Sequence, residues 1–146
     1  MVEKVNSLQK KHWIAVAWAQ DIHTISAIHK AVNYGLINAI LIGQASEIKN
    51  ICRKAGIAYE LFTIVDSDDE IKASAEAVEL VRSGEADIAM KGLVGTDIFL
   101  KAVMDKNKGL MLPGAVLSYV CAIELPGYHK LLFITDPAVI PVPTLD

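Results

Sequence analysis

Along this chain, short unbroken apolar runs alternate with stretches in which apolar residues return every three or four positions, the pattern of strands alternating with amphipathic helices. Trp13 to Ala19 is the first such run and suits a strand buried on both faces of a parallel sheet. Ile22, Ile25, Ala27, Ile28, Ala31 and Val32 follow at helical spacing, and Gly35 after Tyr34 supplies the stop. Asn38 to Ile42 gives a second strand ending at Gly43. Ser46 then stands where an N-cap is expected for a helix from Glu47 to Lys54, with Gly56 as its C-cap. Leu61 to Val65 predicts a third strand. Behind it, Asp66, Asp68, Asp69 and Glu70 lie where a helix dipole favours negative charge, and the helix they open runs to Arg82 and closes at Gly84. Asp87 to Lys91 predicts a fourth strand, and Thr96 caps a helix through Asp105 whose inner face carries Ile98, Phe99, Ala102 and Val103. Four β-α units in succession predict an α/β fold, a three-layer sandwich around a mainly parallel sheet.

The last quarter breaks this pattern. Ala115 to Leu125 and Leu131 to Asp136 read as strands, and PGYHK between them is too short for a parallel crossover, which needs about a dozen residues. The two runs predict a C-terminal antiparallel hairpin. An architecture that changes just before the chain stops predicts a single α/β domain over residues 1–146 that is a beginning without its second half.

Composition narrows the classes. With 53% apolar residues and a mean hydropathy of +0.37, the 146 residues can bury a real core, which excludes a disordered chain. A net charge of −3 with scattered lysines gives no basic stripe for nucleic acid. No apolar run approaches the roughly 20 residues of a membrane span, and Met1 to His12 is polar and charged, so the expectation is a cytoplasmic protein. Cys52 and Cys121 lack CxxC spacing and read as reduced packing residues. His23 and His29 fall on different sides of a helix, His12 and His129 in other regions, and no metal site is expected.

Ligands of open α/β sheets bind beyond the carboxyl ends of the strands. At the end of the fourth strand, MKGLVGTD places Lys91, Gly92, Gly95 and Thr96 at a helix start. Glycines there let backbone N–H groups approach an anion, the helix N-terminus adds partial positive charge and Lys91 a full one. The pattern is neither a P-loop nor GxGxxG. Ser118, midway along the hairpin's first strand, is a candidate donor to a phosphate or carbonyl oxygen. Asp136, ending the second strand, is a candidate acceptor for a ligand hydroxyl or amide. Trp13 and Trp18, in or beside the first strand, read as core and rim packing.

Three segments carry a resemblance: ADIAMKGLVGT, KNKGLMLPGAVLSYVCAIELPGYHKLLFITD and the tail DPAVIPVPT. In order and spacing they resemble the N-terminal half of the phosphate acetyl/butyryltransferase family, the butyryl branch more than the acetyl, though the tail is closer to the acetyl branch. The resemblance implies a two-domain α/β enzyme of the isocitrate/isopropylmalate dehydrogenase-like fold, a homo-oligomer with its active site in the interdomain cleft. Its reaction would move a short acyl group, straight or branched, between CoA and inorganic phosphate, with both as substrates and no further cofactor. No covalent acyl-enzyme is implied, so positioning and charge stabilisation would carry the rate, with Lys91, the turn after it, Thr96 and Ser118 as donors. The family's catalytic Ser-Arg pair and Asp come from the C-terminal half, and no position here matches them, so the catalytic residues stay unassigned. The butyryl relatives typically have His where Tyr119 stands, and relatives often have Asn at Ile140. Pro137 stiffens that loop.

Two other readings are open to the sequence. One is a receiver-like regulatory module built on Asp21, Asp66 and Lys91 at strand ends, which the short PGYHK connection opposes. The other is a non-catalytic protein that binds CoA or an acyl carrier.

Overall fold

The structure, a computed structural model, describes residues 5, 7, 11–136, 138–140 and 142. Pro137 and the tail residues Pro141, Pro143 and Thr144 lie outside the described residues. The chain divides into two compact regions, one reaching to Leu110 and one from Met111 onward.

The first region alternates strand and helix as its periodicity predicts. Its elements are β1 (His12–Ala17), α1 (Ile22–Asn33), β2 (Ile37–Gly43), α2 (Ala45–Lys54), a 3-10 turn (Tyr59–Leu61), β3 (Thr63–Asp66), α3 (Glu70–Ser83), β4 (Ile88–Lys91) and α4 (Thr96–Val103). The four strands form one parallel sheet in the order β3-β2-β1-β4. Leu61, expected in the third strand, belongs to the 3-10 turn instead, and the strand begins at Thr63.

Side-chain alternation along the central strands sorts the helices into layers. Ile14 and Val16 of β1 with Ala39 and Leu41 of β2 face Ile25 and Ile28 of α1 and Ile48 and Cys52 of α2. Ala15 and Ala17 with Ile40 and Ile42 face the other way, onto Ala73 and Ala77 of α3. Small residues on both sides of that second interface bring α3 close to the sheet. Ser74, fully buried there, is satisfied because its Oγ donates to Glu70 O at 2.8 Å. Ile25, Leu41 and Ile48 are wholly withdrawn from water, each burial being worth about 1.5–3 kcal/mol.

The helix starts depend on tertiary partners as much as on local caps. Asp21 caps α1 by accepting from the Thr24 amide, and Asp69 caps α3 through the Lys72 amide. Ser46 does not cap α2. That helix begins one residue earlier, at Ala45, whose amide donates to Asp66 Oδ1 at 2.8 Å, while the Gln44 amide donates to Gln20 Oε1. Thr96 is likewise the first residue of α4 and not its cap; Gly95 holds the cap position with no side-chain bond.

In the second region β5 (Cys121–Ile123) and β6 (Leu132–Ile134) pair antiparallel, so the predicted hairpin is present with much shorter strands. Two Leu-Pro-Gly-x turns shape this region. The Ala115 amide closes on Leu112 O at 3.0 Å and the Tyr128 amide on Leu125 O at 3.1 Å, and the third residue of each turn has φ near +80°, a conformation that costs glycine little.

Candidate functional site

The strand order β3-β2-β1-β4 reverses direction beside β1: the first three strands are laid down one way and β4 returns to the other flank. Ligands of such sheets collect at the carboxyl ends of the two strands that flank this switch. Here those ends are Ala17 and Lys91, paired in register, and the loops that leave them are built together.

The Gly92 amide donates to Ala17 O at 2.8 Å and the Leu93 amide to Trp18 O at 3.0 Å. The two loops are thereby so close that a Cβ on Gly92 would lie 2.6 Å from Ala17 O and 2.7 Å from Trp18 O. Gly92 is required by the approach of another backbone. Lys91 is exposed, and its Nζ curls over its own loop to donate to Val94 O at 2.8 Å and Gly92 O at 3.2 Å. An ammonium has three donors, so one N–H is left to meet a ligand. Val94 is buried beneath the loop and anchors it.

Among the described residues, the helices that follow β1, β2 and β3 each have a side-chain oxygen on their first amides, and α4 has none. Its opening amides, following Gly95, point toward the strand ends with the dipole's positive end unneutralised by a cap. Asp97 is the competing charge. Its carboxylate lies against the Cβ position of Gly95, within 2.8 Å, and pairs with Lys101 at 3.6 Å. Lys91, Gly92, Gly95 and Thr96 therefore form one loop at the switch point.

The other two candidates lie in the second region. Ser118 is exposed and precedes the strand, which begins only at Cys121, so its expected mid-strand position is not observed. Asp136 stands beyond Ile134, the last residue of β6. Its carboxylate is buried and filled by backbone donors: Tyr119 N on Oδ2 at 2.7 Å, and Val139 N and Ala138 N on Oδ1 at 2.7 and 3.2 Å. Burial works to raise the Asp136 carboxyl, but the amides of Tyr119, Val139, Ile140 and Ala138 outweigh it and hold the group below the usual carboxylate range. Thr135 Oγ1 adds a bond to Tyr119 O at 2.7 Å. Asp136 thus fixes the backbone next to Ser118. This cross-loop clamp was not legible locally, because an Asp before Pro reads as a turn residue.

A groove of about 820 Å³ lies between α3 and α4. It runs over helix flanks, and three of its cations are already paired, Arg82 to Glu79 at 2.7 Å across the groove wall, Lys72 to Asp68 at 3.0 Å and Lys101 to Asp97 at 3.6 Å. Among the described residues no group of three His, Cys, Asp or Glu is arranged to hold a metal, and no helix is long and apolar enough to cross a membrane. The receiver-like reading finds no support, since Asp21 and Asp66 are both spent on helix starts.

No family model matches the chain. It is 41% identical to the phosphate butyryltransferase of Clostridium acetobutylicum over 138 residues, 94% of this chain and 45% of that protein. It is 33% identical to the phosphate acetyltransferase of Thermotoga maritima over 146 residues, all of this chain and 48% of that one. Among solved structures, a branched-chain phosphotransacylase from Enterococcus faecalis superposes with a TM-score of 0.75 at 26% identity, over 91% of this chain and 45% of the other. A phosphotransacetylase from Streptococcus pyogenes, at 16% identity and a TM-score of 0.68, shares the fold. The chain spans about half the length of the curated relatives it matches. Over that span, the chain resembles the phosphate butyryl- and acetyltransferases.

Proposed function

We propose that this chain serves the transfer of a short acyl group between CoA and inorganic phosphate, with the Lys91–Thr96 loop as the seat of the phosphate. The observation that carries the reading is the uncapped start of α4 at the switch point, beside Lys91 and a glycine that no other residue can replace without moving backbone. The relatives that resemble the chain are named for this reaction. Neither of the alternatives, a regulatory module or a non-catalytic binder, has an observation in its favour.

In acyl transfer to phosphate, charge gathers on the phosphate oxygens and on the tetrahedral carbonyl oxygen, and donors already in place stabilise it without reorganisation. The free N–H of Lys91 and the first amides of α4 supply such donors. Holding phosphate beside the acyl group converts a bimolecular encounter into an oriented one. Ser118 is the donor of the second region, and Asp136 acts on it by holding the neighbouring Tyr119 backbone. Further catalytic groups belong to the half of the relatives' length that this chain does not span. The reading also takes the fold to be isocitrate/isopropylmalate dehydrogenase-like and the protein to be a cytoplasmic homo-oligomer with acyl-CoA and phosphate as substrates and no cofactor.

Release of free thiol from butyryl-CoA tests it, with the chain alone and with a polypeptide supplying the remaining length. Release that requires phosphate is expected. Release indifferent to phosphate, or none in either case, would sink the reading. Lys91→Ala is expected to weaken phosphate use about tenfold or more, the worth of one charge-assisted hydrogen bond. Unchanged kinetics would return Lys91 to a purely structural role in its loop.

A further inference from the structure

We infer that Trp18 is the apolar wall against which the acyl chain of the substrate rests, and so a residue that sets acyl-chain preference. The inference rests on the phosphotransacylase reading of the switch-point loop and adds a residue to it.

Trp18 leaves β1 with φ 55°, the one described non-glycine residue in the left-handed region. An L side chain is strained there, and glycine or asparagine would adopt the conformation more readily. A tryptophan held in such a place is kept for its indole. The backbone around it is over-determined: Trp18 O accepts from both the Gln20 and Leu93 amides, the Ala19 amide donates to Ile42 O, and the Gln20 side chain is tied to the start of α2. The indole is only partly buried. It packs on the core cluster that includes Ala17 and Val94, the same cluster on which Ile98 and Phe99 of α4 pack, so it lies on the α3 and α4 side of the sheet. A rigid apolar face thus adjoins the loop that offers donors to an anion. An acyl phosphate has this polarity, a charged phosphoryl head joined through one oxygen and a carbonyl to a short hydrocarbon chain.

The chain contains Trp13 and Trp18 and no other tryptophan. Trp13 lies at the opposite end of β1, where its backbone pairs with Asp87, so Trp13→Phe leaves Trp18 as the sole indole without touching the site. In that variant of the full chain, titration with butyryl-CoA is expected to change the emission, and CoA lacking an acyl group to change it less. Calorimetry on the same samples measures binding independently. Trp18→Gly suits the backbone conformation and removes the indole. It is expected to lower the butyryl-over-acetyl affinity ratio about tenfold or more, as loss of a methylene contact does, while CoA itself binds as before. Calorimetric binding of butyryl-CoA with no emission change and an unaltered ratio overturns the role of Trp18 alone. Absence of calorimetric binding for every CoA species overturns the reading of the switch-point loop, and the role of Trp18 with it.

Discussion

In the region up to Leu110, β1 and β2 are flanked on both faces by side chains that water does not reach, while in the region from Met111 the one buried side chain among the described residues is the Asp136 carboxylate. The first is ordered by apolar packing between layers. The second is ordered by backbone hydrogen bonds, two Leu-Pro-Gly turns, a three-residue strand pair and the amides gathered on Asp136. Its large apolar residues face outward, Phe133 at 70% and Val116 at 77% exposure. A two-stranded pair is marginal in water by itself. The contrast shows one sequence using two strategies, a core that tolerates polar loops and a hydrogen-bonded frame that displays apolar side chains.

The largest effect separates them directly. Ile48→Ala, in the packed layer beneath α2, is expected to lower stability by about 2–5 kcal/mol in urea unfolding. Phe133→Ala is expected to stay within about 0.5 kcal/mol. Similar losses for the two would erase the distinction. Next in size, Gly92→Ala drives a methyl into the carbonyls of Ala17 and Trp18 and is expected to cost about 1–3 kcal/mol, read from the thermal midpoint. An unchanged midpoint would show the β1–β4 joint to be soft.

A third test uses acid. The folded Asp136 carboxyl titrates below its ordinary value, so its stabilisation is complete above that ordinary value and is lost as pH falls through the lower, folded one. Below about pH 4 the amides of Tyr119 and Val139 are expected to exchange faster with deuterium while those of β1 keep their protection. Asp136→Asn should weaken the same amides at neutral pH. Protection that falls together in both regions would mean a single cooperative unit. The smallest effect is expected at Lys72→Ala: its partner Asp68 is exposed on the same helix start, and the urea midpoint should not move measurably.

Much of the first region was legible in the sequence because each strand is a short apolar run, with Gly43, Asp66 and Gly92 marking the ends of β2, β3 and β4, and these signals are local. Helix starts were less so. Ser46 is a good capping residue, but Asp66 and Gln20 reach the start of α2 from distant positions, and that geometry exists only once β1, β2 and β3 are side by side. Thr96 was misplaced by one residue for a related reason, since Gly95 leaves the cap position empty. The strands of the second region were read too long: an apolar run signals a strand when there is a core to receive it, and Val116 and Val120 have none. Of the candidate site, glycine and lysine spacing put Lys91, Gly92, Gly95 and Thr96 in the loop after the fourth strand, and that is where they lie. Trp18, read as packing, does pack on the second core cluster, and only its left-handed backbone is something nothing local announces.

The two cysteines turn the contrast between regions into a labelling scheme. Cys52 is sealed in the layer under α2, and burial, with the Glu60 carboxylate adding to it, pushes its thiol above the ordinary range, so both access and nucleophile are withheld. Cys121 begins β5 and is only half-buried. A maleimide dye added to the folded chain will therefore mark the strand pair first and leave the α/β layers dark, so a second dye of another colour, applied during unfolding, would time the opening of one region against the other.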